Sequence, residues 1–201
     1  MKLNQAFTYQ QADQVLETYL QHFPDEINRQ QEFSAYLKRN QGLARIDRKN
    51  FDGHITASVF LYHPGEKALL LLHHKTLNKW LQPGGHVDES DPDIVSAALR
   101  ELTEETGILA EHFRLVEHKD GSILPVDIDS HIIPENPKKN EALHYHHDIR
   151  FACIYTHPKP ILVNEEESIG SQFLPLTQLA EHTDLSIVVD KLNLLILSQD
   201  R

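Results

Sequence analysis

The 201-residue chain has one cysteine, one tryptophan and no long apolar run. A lone Cys153 excludes an internal disulfide, so nothing points to an oxidising compartment. The longest aliphatic stretch, Ala68 to Leu72, falls far short of the ~20 residues that span a bilayer. Met1-Lys2-Leu3-Asn4-Gln5 leads into polar sequence without a signal-peptide pattern, so a cytoplasmic protein that stays off membranes is expected. Positive charge is also scarce: 19 basic against 30 acidic side chains leave a formal charge of −11. That balance argues against holding a long nucleic acid, because such binding relies on Lys and Arg displacing counterions. A small phosphorylated ligand remains compatible, provided a metal cation offsets the repulsion. The hydrophobic share of 40% and charged share of 24% describe a globular protein with an ample core.

Two segments differ in pattern. In residues 1–50, apolar side chains recur at helical spacing twice: Val15, Leu16, Tyr19 and Phe23 within 9–23, then Ile27, Phe33, Tyr36 and Leu37 within 25–40. Pro24 separates the two stretches and Gly42 stands at a helix stop, so an N-terminal helical extension is expected. Residues 51–201 read as the main domain. There, 55–62 and 68–74 look like strands joined at Pro64-Gly65, with a short strand near Trp80-Leu81. Asp91-Pro92 suits a helix start, with Asp91 as N-cap, and Gly107 suits its end. Further strands are expected over 113–116, 122–129, 144–155 and 172–174, and a last helix over 185–197. Helices before, between and after strands suggest an α/β or α+β sandwich around a mixed sheet.

The helix ending at Gly107 carries the chemistry. Glu101, Glu104 and Glu105 stand at i, i+3 and i+4, so their carboxylates share one face. Like charges so placed weaken a helix, and a hard divalent cation such as Mg²⁺ offsets the cost while keeping waters for a phosphate. Pro83-Gly84-Gly85 lets the backbone turn tightly nearby.

From Gly85 to Ile108 the sequence resembles the Nudix box, which runs from a glycine through a glutamate to Arg-Glu-apolar-X-Glu-Glu-X-Gly-apolar. Residues Arg100 through Ile108 match that second half at every specified position. The first half departs twice: Asp91 replaces the usual glutamate, and the path from Gly85 to Arg100 is one residue longer. The resemblance implies a Nudix-type α/β/α sandwich and a metal-dependent hydrolase that cleaves the diphosphate of a nucleotide-like small molecule by water attack at phosphorus. It implies that Glu101, Glu104 and Glu105 hold Mg²⁺ or Mn²⁺, that one of them is the base, and that Arg100 orients carboxylates. It further implies a late-loop ligand, for which Glu167 is the choice by spacing, and it makes a homodimer an open expectation. The rival readings are a nucleotide-sensing domain without catalysis and, less well matched, an isopentenyl diphosphate isomerase, which would need a cysteine near the glycine loop.

Histidine is abundant, with fourteen in the chain. Strand alternation puts His144, His146, Asp148 and Arg150 on one face, and Asp127, Asp129 and His131 on one face of an earlier strand. Tyr145, Ile149 and Phe151 then face the core. This polar face could contact substrate, be a solvated surface, or bind a transition metal such as Zn²⁺. His86, His144, His146 and Arg150 are the candidate substrate contacts. Trp80 is expected in the core and Cys153 as a buried, inert thiol.

Overall fold

The computed structural model describes residues 7–118, 120–181 and 183–199. Two helices, α1 (Ala12–His22) and α2 (Gln31–Arg39), precede an eight-stranded mixed sheet. Its strands are β1 (His54–His63), β2 (Ala68–His74), β3 (Lys79–Leu81), β4 (Gly84–His86), β5 (Phe113–Leu115), β6 (Asp127–Ile133), β7 (His144–Tyr155) and β8 (Ser168–Pro175). Helix α3 (Ile94–Thr106) follows β4, and α4 (Leu176–Leu179) and α5 (Thr183–Gln199) follow β8. No described helix is long and apolar enough to cross a membrane.

At the centre β1 and β7 run parallel, from His54 opposite His146 to Tyr62 opposite Ile154. The remaining pairs are antiparallel: β4 and β2 flank β1, β6 and β5 flank β7, and β2 also pairs with β3 and β8. Alternation along β1 sorts two cores. Ile55, Ala57, Val59 and Leu61 pack with Tyr19, Phe33, Tyr36, Ala98 and Leu102 from α1, α2 and α3. Phe60 and Tyr62 pack on the opposite side with Leu176, Val188 and Leu192 from α4 and α5. The result is an α/β/α sandwich.

That second face changes character halfway along. On β1 the sequence His54, Thr56, Ser58 gives way to Phe60 and Tyr62, and on β7 His146, Asp148, Arg150 gives way to Ala152 and Ile154. Because Ser58 pairs with Arg150 and Phe60 with Ala152, both strands switch from polar to apolar at the same level. One end of the sheet thus buries a polar cluster and the other a hydrophobic core.

The N-terminal helices are fastened by charge. Buried Arg45 donates to the carbonyls of Gln10 (2.9 Å) and Asn40 (3.0 Å) and to Asp13 (2.5 Å). Gln30 donates to the Ile128 carbonyl at 2.8 Å, covering the edge of β6. Asp127, fully buried, accepts from Arg29 at 2.6 and 2.9 Å and from Arg150 at 3.1 Å, with Lys191 of α5 at 3.4 Å. Lys191 also meets Tyr19 and Glu26, so this network joins α1, α5 and the sheet edge.

Several sequence expectations need correction. The N-cap of α3 is Asp93, whose carboxylate accepts from the Ser96 N–H at 2.7 Å, and not Asp91. Asp91 is held instead by Arg100. Strand β6 starts at Asp127 and not at residue 122, since Pro125 has no N–H for a ladder. Trp80 is 40% exposed on the short strand β3 and stacks on His73, with ring centroids 4.8 Å apart. Tyr145 is only partly buried, whereas Ile149 and Phe151 do enter the core. The glycine loop itself pairs with β1 as β4. Gly107 ends α3 with a left-handed φ of 69°, as expected, and Cys153 is fully buried.

Candidate active site

Helix α3 lies on the Ile55–Ala57 face of the sheet and points its acidic stripe at β4. Its apolar stripe, Ile94, Ala97, Ala98 and Leu102, sinks into the core, which draws neighbouring Glu101 and Glu105 inward too; both are buried, while Glu104 stays exposed. Glu105 accepts the Gly84 N–H at 2.9 Å. Gly85 lies directly against Glu101, and a Cβ at that position would sit 2.6 Å from the Glu101 Cδ. A Cβ at Gly84 would lie 2.2 Å from the Ser58 Cβ. Both glycines are therefore required by close approach, one to the carboxylate and one to β1.

Glu167, at the turn before β8, joins the group: it shares a hydrogen bond with Glu105, and its charge acts on Glu101 as well. Its backbone is fixed by the Lys75 N–H, which donates to the Glu167 carbonyl at 2.8 Å. Burial pushes the Glu101 carboxyl above the usual carboxylate range, Arg100 opposes the rise, and Glu104 and Glu167 add to it. Burial likewise raises Glu105, against the Gly84 N–H and with further push from Glu167.

Among the described residues, a single guanidinium faces these acids. Arg100 donates to Asp91 at 3.0 and 2.8 Å, to Glu101 at 2.9 Å, to Glu104 at 3.1 Å and to the His86 carbonyl at 2.9 Å. Asp91 thus braces Arg100 with a bidentate contact, a partnership that the extra residue before α3 does not break. The donor set of buried Glu101 and Glu105 with exposed Glu104 and Glu167, carrying more negative charge than Arg100 offsets, fits a hard divalent cation.

The expected substrate contacts divide. Alternation in β4 sends His86 to the sheet face away from Glu101, where its ring lies 5.0 Å from His54 and 5.3 Å from His146. His144 and His146 join the same cluster, 5.0 and 4.5 Å from His54. Burial, and then neighbouring positive or protonatable groups, hold the imidazoles of His54 at about 4, His86 at about 3 and His146 at about 2. Arg150 is not open to a ligand. Its buried guanidinium is taken up by Asp148 (2.9 Å), Asp129 (2.8 Å) and Asp127 (3.1 Å). His54, Asp91 as brace and the Gly84 N–H were not legible as site groups. Sequence signals did exist for the Gly84 N–H, in the paired glycines, and for Asp91, which fills the motif's first acidic position.

The profile described as NUDIX domain matches residues 52–192, and the chain belongs to the Nudix family. It is 33% identical over 102 residues to a probable DHNTP pyrophosphohydrolase of Lactococcus lactis, covering 51% of this chain and 54% of that protein. It is 41% identical over 68 residues to phosphatase NudJ of Escherichia coli, covering 31% of this chain and 42% of that protein. The matches thus span about half the length of these relatives. Among solved structures, a C. elegans Ap4A hydrolase in a binary complex aligns with a TM-score of 0.54 at 19% identity, covering 71% of this chain and 97% of the other. A Nudix-family hydrolase from Clostridium perfringens aligns at 0.52 and 22%, covering 74% and 99%. The E. coli dihydroneopterin triphosphate pyrophosphohydrolase aligns at 0.53 and 20%, covering 71% and 94%. These structural likenesses show the fold.

Proposed function

We propose that this chain is a metal-dependent diphosphohydrolase that cleaves the diphosphate linkage of a small nucleotide-like molecule by water attack at phosphorus. The observation that carries the reading is that Glu101 and Glu105 of α3 close on the glycines of β4, with Glu167 from the turn before β8 beside Glu105 and Arg100 as the cationic partner of Glu101. Glu101, Glu104, Glu105 and Glu167 would hold Mg²⁺ or Mn²⁺, which when bound supplies charge neutralisation for the diphosphate and lowers the pKa of a water.

The chain's own residues do the rest. Arg100, anchored by Asp91, keeps Glu101 and Glu104 turned to the same side of α3. The Gly84 N–H fixes the rotamer of Glu105. A buried carboxylate with a raised pKa is suited to take a proton from the attacking water, a role open to Glu101 or Glu105. Because relatives by sequence and by fold are named for dihydroneopterin triphosphate and Ap4A, a pterin triphosphate and a dinucleoside polyphosphate are the first substrates to test.

The test is a phosphate- and pyrophosphate-release panel over nucleoside diphosphate derivatives with Mg²⁺ and with Mn²⁺, beside calorimetry of metal uptake. Turnover that needs the divalent ion supports the reading. Tight nucleotide binding without turnover on the whole panel favours a sensor, and failure to take up either ion with a nucleotide analogue present ends the proposal.

A further inference from the structure

We propose that His54, His144 and His146 bind a zinc-class divalent ion, forming a metal centre separate from the acidic helix. The three side chains come from the start of β1 and the start of β7, which the parallel register lays side by side. One nitrogen from each lies within 4.8 Å of the other two. A tetrahedral zinc site spaces its nitrogens roughly 3.3 Å apart, so modest ring rotations close the gap.

The strongest sign is His54. It is 1% exposed, and neither ring nitrogen has a hydrogen-bond partner among the described residues. The Asn50 carbonyl lies near the ring but outside hydrogen-bond geometry. Buried polar atoms are nearly always partnered, so an orphaned imidazole aimed into a ring of imidazoles calls for a ligand. His144 shows the complementary preparation. Its Nδ1 lies 2.7 Å from the Ala142 carbonyl, which can only accept, so Nδ1 carries the proton and Nε2 presents its lone pair. Ring stacking alone accounts for the packing of the cluster but leaves the His54 nitrogens unexplained.

The donor type identifies the class of ion. Three imidazoles with no carboxylate suit Zn²⁺, Ni²⁺ or Cu²⁺ and suit Mg²⁺ poorly, the reverse of the glutamate site. The two centres lie on opposite faces of the sheet, since α3 packs on the Ile55–Ala57 side and His54 points away from it. Three protein ligands leave a fourth position for water or another ligand, and the rings of His86 and His131 lie 5.3 and 5.8 Å from the ring of His146. This centre uses none of the carboxylates assigned to hydrolysis, so either proposal can fail alone.

The experiment uses the full chain purified without nickel resin, stripped of metal, and titrated with Zn²⁺ and with Co²⁺ in excess Mg²⁺. One equivalent of zinc per chain is expected, with visible Co²⁺ absorption of a nitrogen-ligated low-coordinate ion. His146→Asn and His54→Asn should each weaken zinc by about 100-fold or more, while Glu104→Gln leaves it unchanged. Zinc titration of wild type followed by histidine ring ¹⁵N shifts covers the case in which His54→Asn fails to fold; three rings should move. No zinc uptake, uptake that survives both histidine variants, or ring shifts that miss these three residues would overturn the proposal.

Discussion

Glu101 places its carboxylate in the space that a side chain on residue 85 would need, 2.6 Å from where that Cβ would stand. The neighbouring Gly84 is blocked by something stiffer, the Ser58 Cβ and Cα and the Ala57 carbonyl, at 2.2, 2.6 and 2.8 Å. The two glycines should therefore fail in different ways. Gly85→Ala meets the end of a flexible side chain, so thermal stability stays near wild type while divalent-ion affinity and turnover fall. Gly84→Ala forces backbone apart and should cost about 1–3 kcal/mol of stability. Thermal unfolding beside Mn²⁺ calorimetry separates them; equal stability losses in both variants would contradict the assignment.

Glu104→Gln and Glu105→Gln keep side-chain shape, and in the second variant the amide oxygen can still accept the Gly84 N–H. Each is expected to lower diphosphatase turnover on the order of 10²–10⁴-fold, Glu104→Gln by removing a charged metal ligand and Glu105→Gln by removing a ligand or the proton acceptor, with far-UV circular dichroism unchanged. Wild-type turnover in either purified variant would remove that residue from the reaction.

The Asp127 network makes a pH prediction. Burial alone would raise this carboxyl, but hydrogen bonds from Arg29 and the charges of Arg150, Arg29 and Lys191 hold it below the ordinary value of 3.8. A depressed acid stabilises the fold fully above its unfolded pKa, and that stability is withdrawn as pH falls through the folded value. Wild-type Tm should thus drop on acidification below pH 3.8. Asp127→Asn leaves three cations facing a neutral amide and should cost about 3–5 kcal/mol at neutral pH, with a shallower acid limb. A Tm series from neutral to acid pH on both proteins checks this, and parallel curves would refute it.

Arg45 tests how the N-terminal helices are attached. Its side chain is buried and bonded to the carbonyls of Gln10 and Asn40. Arg45→Ala should cost about 3 kcal/mol, and hydrogen exchange should rise first in α1 and α2. Exchange that rises evenly over the sheet would mean that the helices and the sheet open as one unit.

Features set by local spacing are legible in the sequence alone. The stripe of Glu101, Glu104 and Glu105, the β1–β2 hairpin, the extent of β7 and the glycine stop at 107 all follow from near neighbours in the chain. Misjudged features depend on distant partners. Asp91 looks like an N-cap because Pro92 follows it, yet Arg100 claims its carboxylate from a turn and a half into α3. Arg150 looks free to meet a phosphate until β6 brings Asp127 and Asp129 beside it. His54 draws no notice because its companions, His144 and His146, reach it only through the parallel pairing of β1 with β7.

That pairing has a consequence for how the protein is born. Thr56 and Asp148 bond across 92 residues, so the middle of the sheet cannot zip shut until the ribosome has released β7. Before then the nascent polypeptide already carries its whole acidic helix, but one side of β1 lies bare and ready to add any foreign strand. Prematurely terminated products should accordingly be sticky and inert, and late synthesis is the stage at which a chaperone matters most.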